Sequence, residues 1–199
     1  MKGSADPMRA FDTLVGRFFP TAFAGDKGDG FDLWRLPNDP DSPHVGAMRD
    51  LFVATFRMPP ESFDAYVEPR DGTHRRLIVA ARKHVICGGI LYQLAANESR
   101  PPEQRVDGGY VSYVATRRNV RAQGAGRALL ALAHADFIVN GHTVSRLIRL
   151  DPRHTAFFEA AGYLRTEGGG YGDMHRLLDL STESRAASQA ALNGLLTLY

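Results

Sequence analysis

The chain has 199 residues, 44% of them hydrophobic, with 24 Lys+Arg against 22 Asp+Glu and a formal net charge of +2. That length and apolar content suit one sizeable core, and the charge is too small to signal nucleic-acid binding. No stretch nears the roughly 20 apolar residues of a membrane span, and the first residues lack the apolar run of a secretory signal, so the expected setting is cytoplasmic, with neither nucleic acid nor membrane as a partner.

Charge is uneven along the chain: residues 1 to 72 carry 8 Lys+Arg against 12 Asp+Glu, and residues 73 to 199 carry 16 against 10. The division suits a polyanionic ligand on the C-terminal part and equally suits ordinary solvated faces. From Arg9 to Phe19, Phe11, Leu14, Val15, Phe18 and Phe19 follow helical spacing, which predicts an amphipathic helix ending before Pro20 within an extension over residues 1–30. After the Gly25 to Gly30 turn, alternation from Phe31 to Leu36 predicts a strand stopped by Pro37. Helical spacing returns from Val45 to Phe56 and, beyond Met58-Pro59-Pro60, from Ser62 to Glu68, where Ser62 is a candidate cap.

Leu77 to Ala81 and Val85 to Leu94 read as two strands of a hairpin around Arg82-Lys83-His84, and the polar run Ala96 to Asp107 as a loop. The single cysteine, Cys87, lies in the second of these apolar strands and reads as a core residue. Tyr110 to Thr116 is a further strand, followed by a helix from about Gly124 to Asn140 that Gly141 stops. Val144 to Leu150 is a strand, Pro152 to Ala161 a short helix ended by Gly162, and Tyr163 to Thr166 with Met174 to Leu180 a last hairpin. The tail, residues 181–199, has an Ala/Leu helical face that could dock on its own domain or on a second protomer in a homodimer.

The segment Arg121-Ala122-Gln123-Gly124-Ala125-Gly126 between strand and helix has the chemistry of a phosphate site. The first N–H groups of a helix lack internal acceptors and lie at the positive end of its dipole. Glycines at 124 and 126 let an anion approach those groups, and Arg121, Arg127 and either Arg117 or Arg118 can add charge-assisted donors. A dinucleotide fingerprint fails at Leu129, and the Gly-Lys-Ser/Thr of a P-loop is absent. No metal site is expected, because the seven histidines form no H-x-x-x-H pair.

The strand Tyr110-Val111-Ser112-Tyr113-Val114-Ala115-Thr116, followed by Arg121-x-x-Gly124-x-Gly126, resembles the first signature of the GNAT superfamily. Phe157-Phe158-Glu159-Ala160-Ala161-Gly162-Tyr163 resembles its second. The resemblance is firm from about Leu77 to Leu180 and implies a GNAT-like α/β fold, a mixed, mostly antiparallel central sheet flanked by helices, over residues 31–180. To this would be added the N-terminal helix and the C-terminal helical tail. It further implies an N-acetyltransferase that moves an acetyl or related acyl group directly from acyl-CoA to the amine of a small molecule or protein.

By the same resemblance Val114, Ala115 and Thr116 would pair with the pantetheine arm, and residues 121 to 127 (Arg121, Ala122, Gln123, Gly124, Ala125, Gly126 and Arg127) would hold the pyrophosphate. An N–H near Val114 would stabilise the oxyanion. Tyr110 stands where some relatives carry a glutamate base, and Phe158 where many carry a tyrosine acid. Asp151 stands at a position that is often an asparagine on the cofactor arm, and it equally reads as a helix cap before Pro152. His154, four residues before Phe158, is a candidate acid in place of the missing hydroxyl, or a surface histidine near a helix start. With base and acid both replaced, the alternative function is a non-catalytic module that binds acyl-CoA or a protein partner.

Overall fold

A computed structural model describes residues 31–68, 75–82, 85–94, 108–148, 151–168 and 172–197. Eight strands form one sheet in the order β6-β7-β5-β4-β3-β2-β1-β8. Strands β1 (Asp32–Leu36), β2 (Arg75–Arg82), β3 (Val85–Gln93) and β4 (Gly109–Thr116) run antiparallel to their neighbours. Strand β5 (Val144–Leu147) lies parallel to β4, and β7 (Met174–Leu177) runs antiparallel to both β5 and β6 (Leu164–Arg165). The sheet is thus mixed and mostly antiparallel, as the sequence led one to expect.

Two cores lie on its two faces. Helices α1 (Pro43–Phe56) and α2 (Pro60–Val67) bury Val45, Met48, Phe52, Phe63 and Val67 against Leu77, Val79 and Leu91 of one face. Helix α3 (Ala125–Val139), buried along nearly its whole length, covers the other face, with Leu129, Leu132 and Phe137 on Ile78, Ile90 and Tyr92. A polar knot crosses this second core: Tyr92 Oη donates to Asp136 at 2.7 Å, and Arg35 and Arg76 each come within 3.7 Å of the same carboxylate. Burial and the neighbouring carboxylate push the Tyr92 phenol well above its ordinary pKa, so it stays a donor.

The differences from the sequence reading have local causes. Helices α1 and α2 begin two residues early, at Pro43 and Pro60, because proline's fixed φ and missing N–H suit a first helical position; Ser62 is therefore inside α2 and makes no cap. The short helix near residue 152 is a 3-10 turn, Pro152–His154, followed by α4 (Thr155–Glu159). The tail forms α5 (Thr182–Asn193), which packs on α3, so it docks on its own domain. It then adds a strand absent from the sequence reading, β8 (Leu196–Thr197), parallel to β1. The expected helix from Arg9 to Phe19, the turn at Lys83-His84, the loop from Ala96 to Asp107 and the tip at Gly169-Gly170 lie outside the described residues. Among the described residues no helix is long and apolar enough to cross a membrane.

Candidate functional site

Strand β4 leaves one edge open. Among the described residues β5 pairs with it only at Gly109↔Ser145 and Tyr110↔Arg146, and from Val111 to Thr116 β4 pairs with β3 alone. The N–H of Arg117 donates to Cys87 O at 2.8 Å, which fixes the alternation of the antiparallel ladder. Residues 115 and 117 point their amides at β3, and residues 114 and 116 point theirs into the wedge beside β5. An extended ligand arm laid there would meet the N–H groups of Val114 and Thr116, in the manner of an added strand. Ala115 instead contributes its buried methyl to the core under α1.

At the end of β4 the chain is tied down before it turns. Arg117 Nε donates to Ile86 O at 2.7 Å, Val120 is buried within the 3-10 turn Arg118–Val120, and Gln123 Nε2 donates to Asn119 O. Gln123 Oε1 in turn accepts from Arg82, so this side chain serves the shape of the loop. Ala122 (φ 63°) and Gly124 (φ 91°) take left-handed backbone, and the turn then delivers Ala125 as the first residue of α3. Only glycine adopts such a φ readily, which explains Gly124. The first helical bond is Ala128 N–H to Gly124 O. Among the described residues no carbonyl or side-chain cap takes the N–H groups of Gly124, Ala125, Gly126 and Arg127.

A Cβ at Gly126 would stand 3.4 Å from the Phe157 ring, an ordinary contact, so packing alone does not require glycine at this position. Beside the loop opens a cleft of about 560 Å³, lined by Asp50, Ala54 and Thr55 of α1 and by Thr116, Arg117, Arg118 and Arg121. Arg118 and Arg121 are exposed and have no side-chain partner among the described residues. Unpaired guanidinium groups and unpaired helix-start amides together make a strongly anion-seeking corner.

The second signature is built differently. Asp151 caps the 3-10 turn by accepting from Arg153 N–H at 2.9 Å and also pairs with the Arg153 guanidinium at 2.6 Å. Those bonds hold its carboxyl down at about 2. His154 is exposed at the end of that turn, whereas Phe158, four residues on in α4, is buried. Phe158 is buried, its ring 5.5 Å from that of Tyr163 and 4.9 Å from that of Phe157. The aromatic bordering the glycine loop is thus Phe157. Tyr163 Oη is shared between His134 Nε2 at 2.8 Å and Ser145 Oγ at 2.5 Å. Burial holds the His134 imidazole well below its usual pKa, and therefore neutral.

On the α1 side, Tyr113 packs edge-on against Phe52 and Tyr66 with Phe56 alongside, and burial plus a hydrogen bond with Tyr66 push its phenol up to about 12. This aromatic wall went unread in sequence, since Tyr66 and Tyr113 come from elements 47 positions apart with no shared motif. Tyr110 is half-buried at the closed end of the wedge, and no carboxylate among the described residues bonds to it. Cys87 is buried with its thiol on Ala80 O, and burial pushes its pKa up, both of which suit a core residue rather than a nucleophile.

Neither a family model nor a curated protein matches the chain in sequence. Solved structures do match in shape. GCN5 from Tetrahymena superposes with a TM-score of 0.57 at 17% identity, over 77% of this chain and 98% of that one. The ribosomal-protein-S18-alanine N-acetyltransferase from Escherichia coli gives 0.55 at 14% identity over 77% and 97%. The aminoglycoside N-acetyltransferase AAC(6')-Iy in complex with CoA gives 0.56 at 15% identity over 71% and 93%.

Proposed function

We propose that this chain, whose fold is that of the GNAT acetyltransferases, is an N-acyltransferase that moves an acetyl or related acyl group from acyl-CoA to an amine by direct transfer. One observation carries the reading. Among the described residues the four N–H groups from Gly124 to Arg127 are without an acceptor and the side chains of Arg118 and Arg121 without a partner, and these groups stand together at the mouth of a wedge that begins where β5 leaves β4. A pyrophosphate suits that corner, and an extended amide-bearing arm suits the open edge of β4.

In this mechanism the acceptor nitrogen, with its lone pair free, attacks the thioester carbonyl lying beside Val114. The Val114 N–H donates to the oxygen as negative charge gathers on it. Collapse of the tetrahedral intermediate breaks the C–S bond, and the proton lost by nitrogen passes to solvent while the thiolate takes one up. Solvent is given this part because Phe158 brings no hydroxyl and Tyr110 no carboxylate, and His154 stands apart in its exposed turn. An amine-bearing small molecule or protein is the acceptor, in keeping with the fold neighbours named for aminoglycoside and for ribosomal-protein alanine.

Binding without turnover is the second reading, and it draws on those same replacements of base and acid. Titration calorimetry with acetyl-CoA, dephospho-CoA and ATP tests the cofactor assignment. Tighter binding of acetyl-CoA than of ATP is expected, and no heat from acetyl-CoA with the folded protein would sink it. Release of free thiol across an amine panel then separates enzyme from binding module.

A further inference from the structure

The direction of attack decides which side chains an acceptor meets. An arm laid along β4 as an added strand lies about 4.8 Å from it, with the thioester carbonyl close to the plane of the sheet and its oxygen on the Val114 N–H. A nucleophile reaches such a carbon from above or below that plane, so the amine arrives over one face of the sheet. On the α3 side Val114 packs in one cluster with Phe157 and Phe158. The approach is therefore over the α1 side.

Tyr113 and Ala115 flank Val114 on that side, because neighbouring strand residues alternate between faces. Ala115 is buried under α1, as are Phe52 and Phe63, whereas Tyr113 is half-exposed together with Phe56 and Tyr66. The Tyr113 ring lies 5.1 Å from that of Phe56 and 5.4 Å from that of Tyr66, centroid to centroid. The hydroxyls of Tyr113 and Tyr66 bond to each other, which holds both rings in place. Arg75 fixes Tyr66 further, donating from one nitrogen to Tyr66 O at 2.6 Å and to Ala65 O at 2.8 Å, with its guanidinium carbon 5.0 Å from the ring centroid.

Aromatic rings pair at about 4.5–7 Å between centroids, and an arm about 4.8 Å from β4 sets the thioester at a similar distance from the Tyr113 ring. A group joined to the nitrogen through about two carbons therefore reaches this wall. Resting on the acyltransferase reading above, we propose that the acceptor is an aralkylamine, a small primary amine carrying an aromatic ring on a short alkyl linker. Its ring lies against Phe56, Tyr66 and Tyr113 while its nitrogen stands over the thioester. Ring pairing favours an aromatic body over a plain alkyl one. A second charged nitrogen at the wall would meet the like charge of Arg75.

The test uses the full chain with acetyl-CoA, first by calorimetry for cofactor binding and then by thiol release. The acceptors are phenethylamine, butylamine and spermidine, each rate referred to the uncharged amine. The expected result is kcat/KM for phenethylamine above that for butylamine by about 10- to 100-fold, from the ring area buried and the ring pairing together. Phe56→Leu and Tyr66→Leu should each shrink that preference by about 3- to 10-fold, chiefly through the KM for phenethylamine, with acetyl-CoA affinity unchanged. The two residues sit on different helices, and melting temperatures check that each variant folds. Normal acetyl-CoA binding with butylamine or spermidine acetylated as well as phenethylamine overturns this assignment alone. A preference undiminished in the folded variants also overturns it. Acetyl-CoA bound with no thiol released by any of the three overturns it in favour of the binding module. Absence of acetyl-CoA binding by the parent protein overturns the acyltransferase reading and this one with it.

Discussion

The glycine loop and the segment from Asp151 to Tyr163 carry the two signatures of one family resemblance, yet the fold treats their polar groups in opposite ways. In the loop, the amides of Gly124 to Arg127 and the guanidinium groups of Arg118 and Arg121 are left without acceptors among the described residues. In the second segment Asp151 is bonded to Arg153, and Tyr163 to His134 and Ser145, while Phe158 lies in the core. Letters alone do not separate the two cases. A group serves a ligand when the protein leaves it unsatisfied, and serves the fold when it is already satisfied.

Gly126→Glu probes the first region hardest. At the second position of α3 a glutamate faces the positive end of the helix dipole, so melting temperature should hold or rise, while carboxylate and bulk occupy the phosphate corner. Acetyl-CoA affinity should drop by about 100-fold or more, equivalent to losing roughly two charge-assisted bonds. Retained affinity in calorimetry would show the ligand to be elsewhere. Gly124 is a poorer choice, because its φ of 91° would strain any replacement.

Tyr163→Phe probes the second region. It strips His134 Nε2 and Ser145 Oγ of their shared partner inside the core, and each group left unsatisfied costs about 1–3 kcal/mol. Chemical denaturation should show that loss while acetyl-CoA affinity stays put; a stable variant with weakened binding would move Tyr163 to the ligand site. The same network sets a pH response. His134 is held neutral in the fold, its pKa well below that of the unfolded chain, so its stabilisation is complete above about pH 6.5 and declines as pH falls below it. The slope should be at most about 1.4 kcal/mol per pH unit, and His134→Gln should flatten it.

Much of this was legible in the sequence wherever one short stretch carries the whole signal. The strand, loop and helix from Tyr110 to Asn140 announce themselves through alternation, glycine and 3.6-residue periodicity, and their boundaries agree with the structure to within a residue or so. What escaped depends on distant partners. The bonds joining His134, Ser145 and Tyr163 link positions 29 and 18 apart, and the wall at Tyr113 needs Tyr66 from α2, far away in the chain. Strand β8 is two residues long and exists because β1 offers an unpaired edge, which no local pattern records. Which of Phe157 and Phe158 borders the loop likewise depends on where the 3-10 turn gives way to α4.

Replacing both Arg118 and Arg121 by glutamine should have a moderate effect. The two side chains are exposed, so water screens them, and acetyl-CoA affinity should fall by about 3- to 10-fold. The parent's affinity should weaken with added salt more steeply than the variant's. Equal salt slopes would mean that these guanidinium groups do not reach the phosphates, leaving the backbone amides to hold the anion.

Asp151→Ala should have the smallest effect, and it bears most directly on the contrast between the two regions. Asp151 pairs with Arg153 in the open, and the bonds from that arginine lower its carboxyl to about 2, against about 3.9 for a free aspartate. A depressed pKa means the pairing stabilises the folded chain fully above about pH 4 and stops doing so as the pH falls toward 2. The variant should therefore melt slightly below the parent at neutral pH, and the gap should close on acidification through that window. Acetyl-CoA affinity should not change, because a carboxylate already bonded to Arg153 at 2.6 Å has little reason to turn to a ligand arm. A clear loss of affinity would mean that Asp151 exchanges Arg153 for the cofactor on binding. The second segment would then belong to the site as fully as the first.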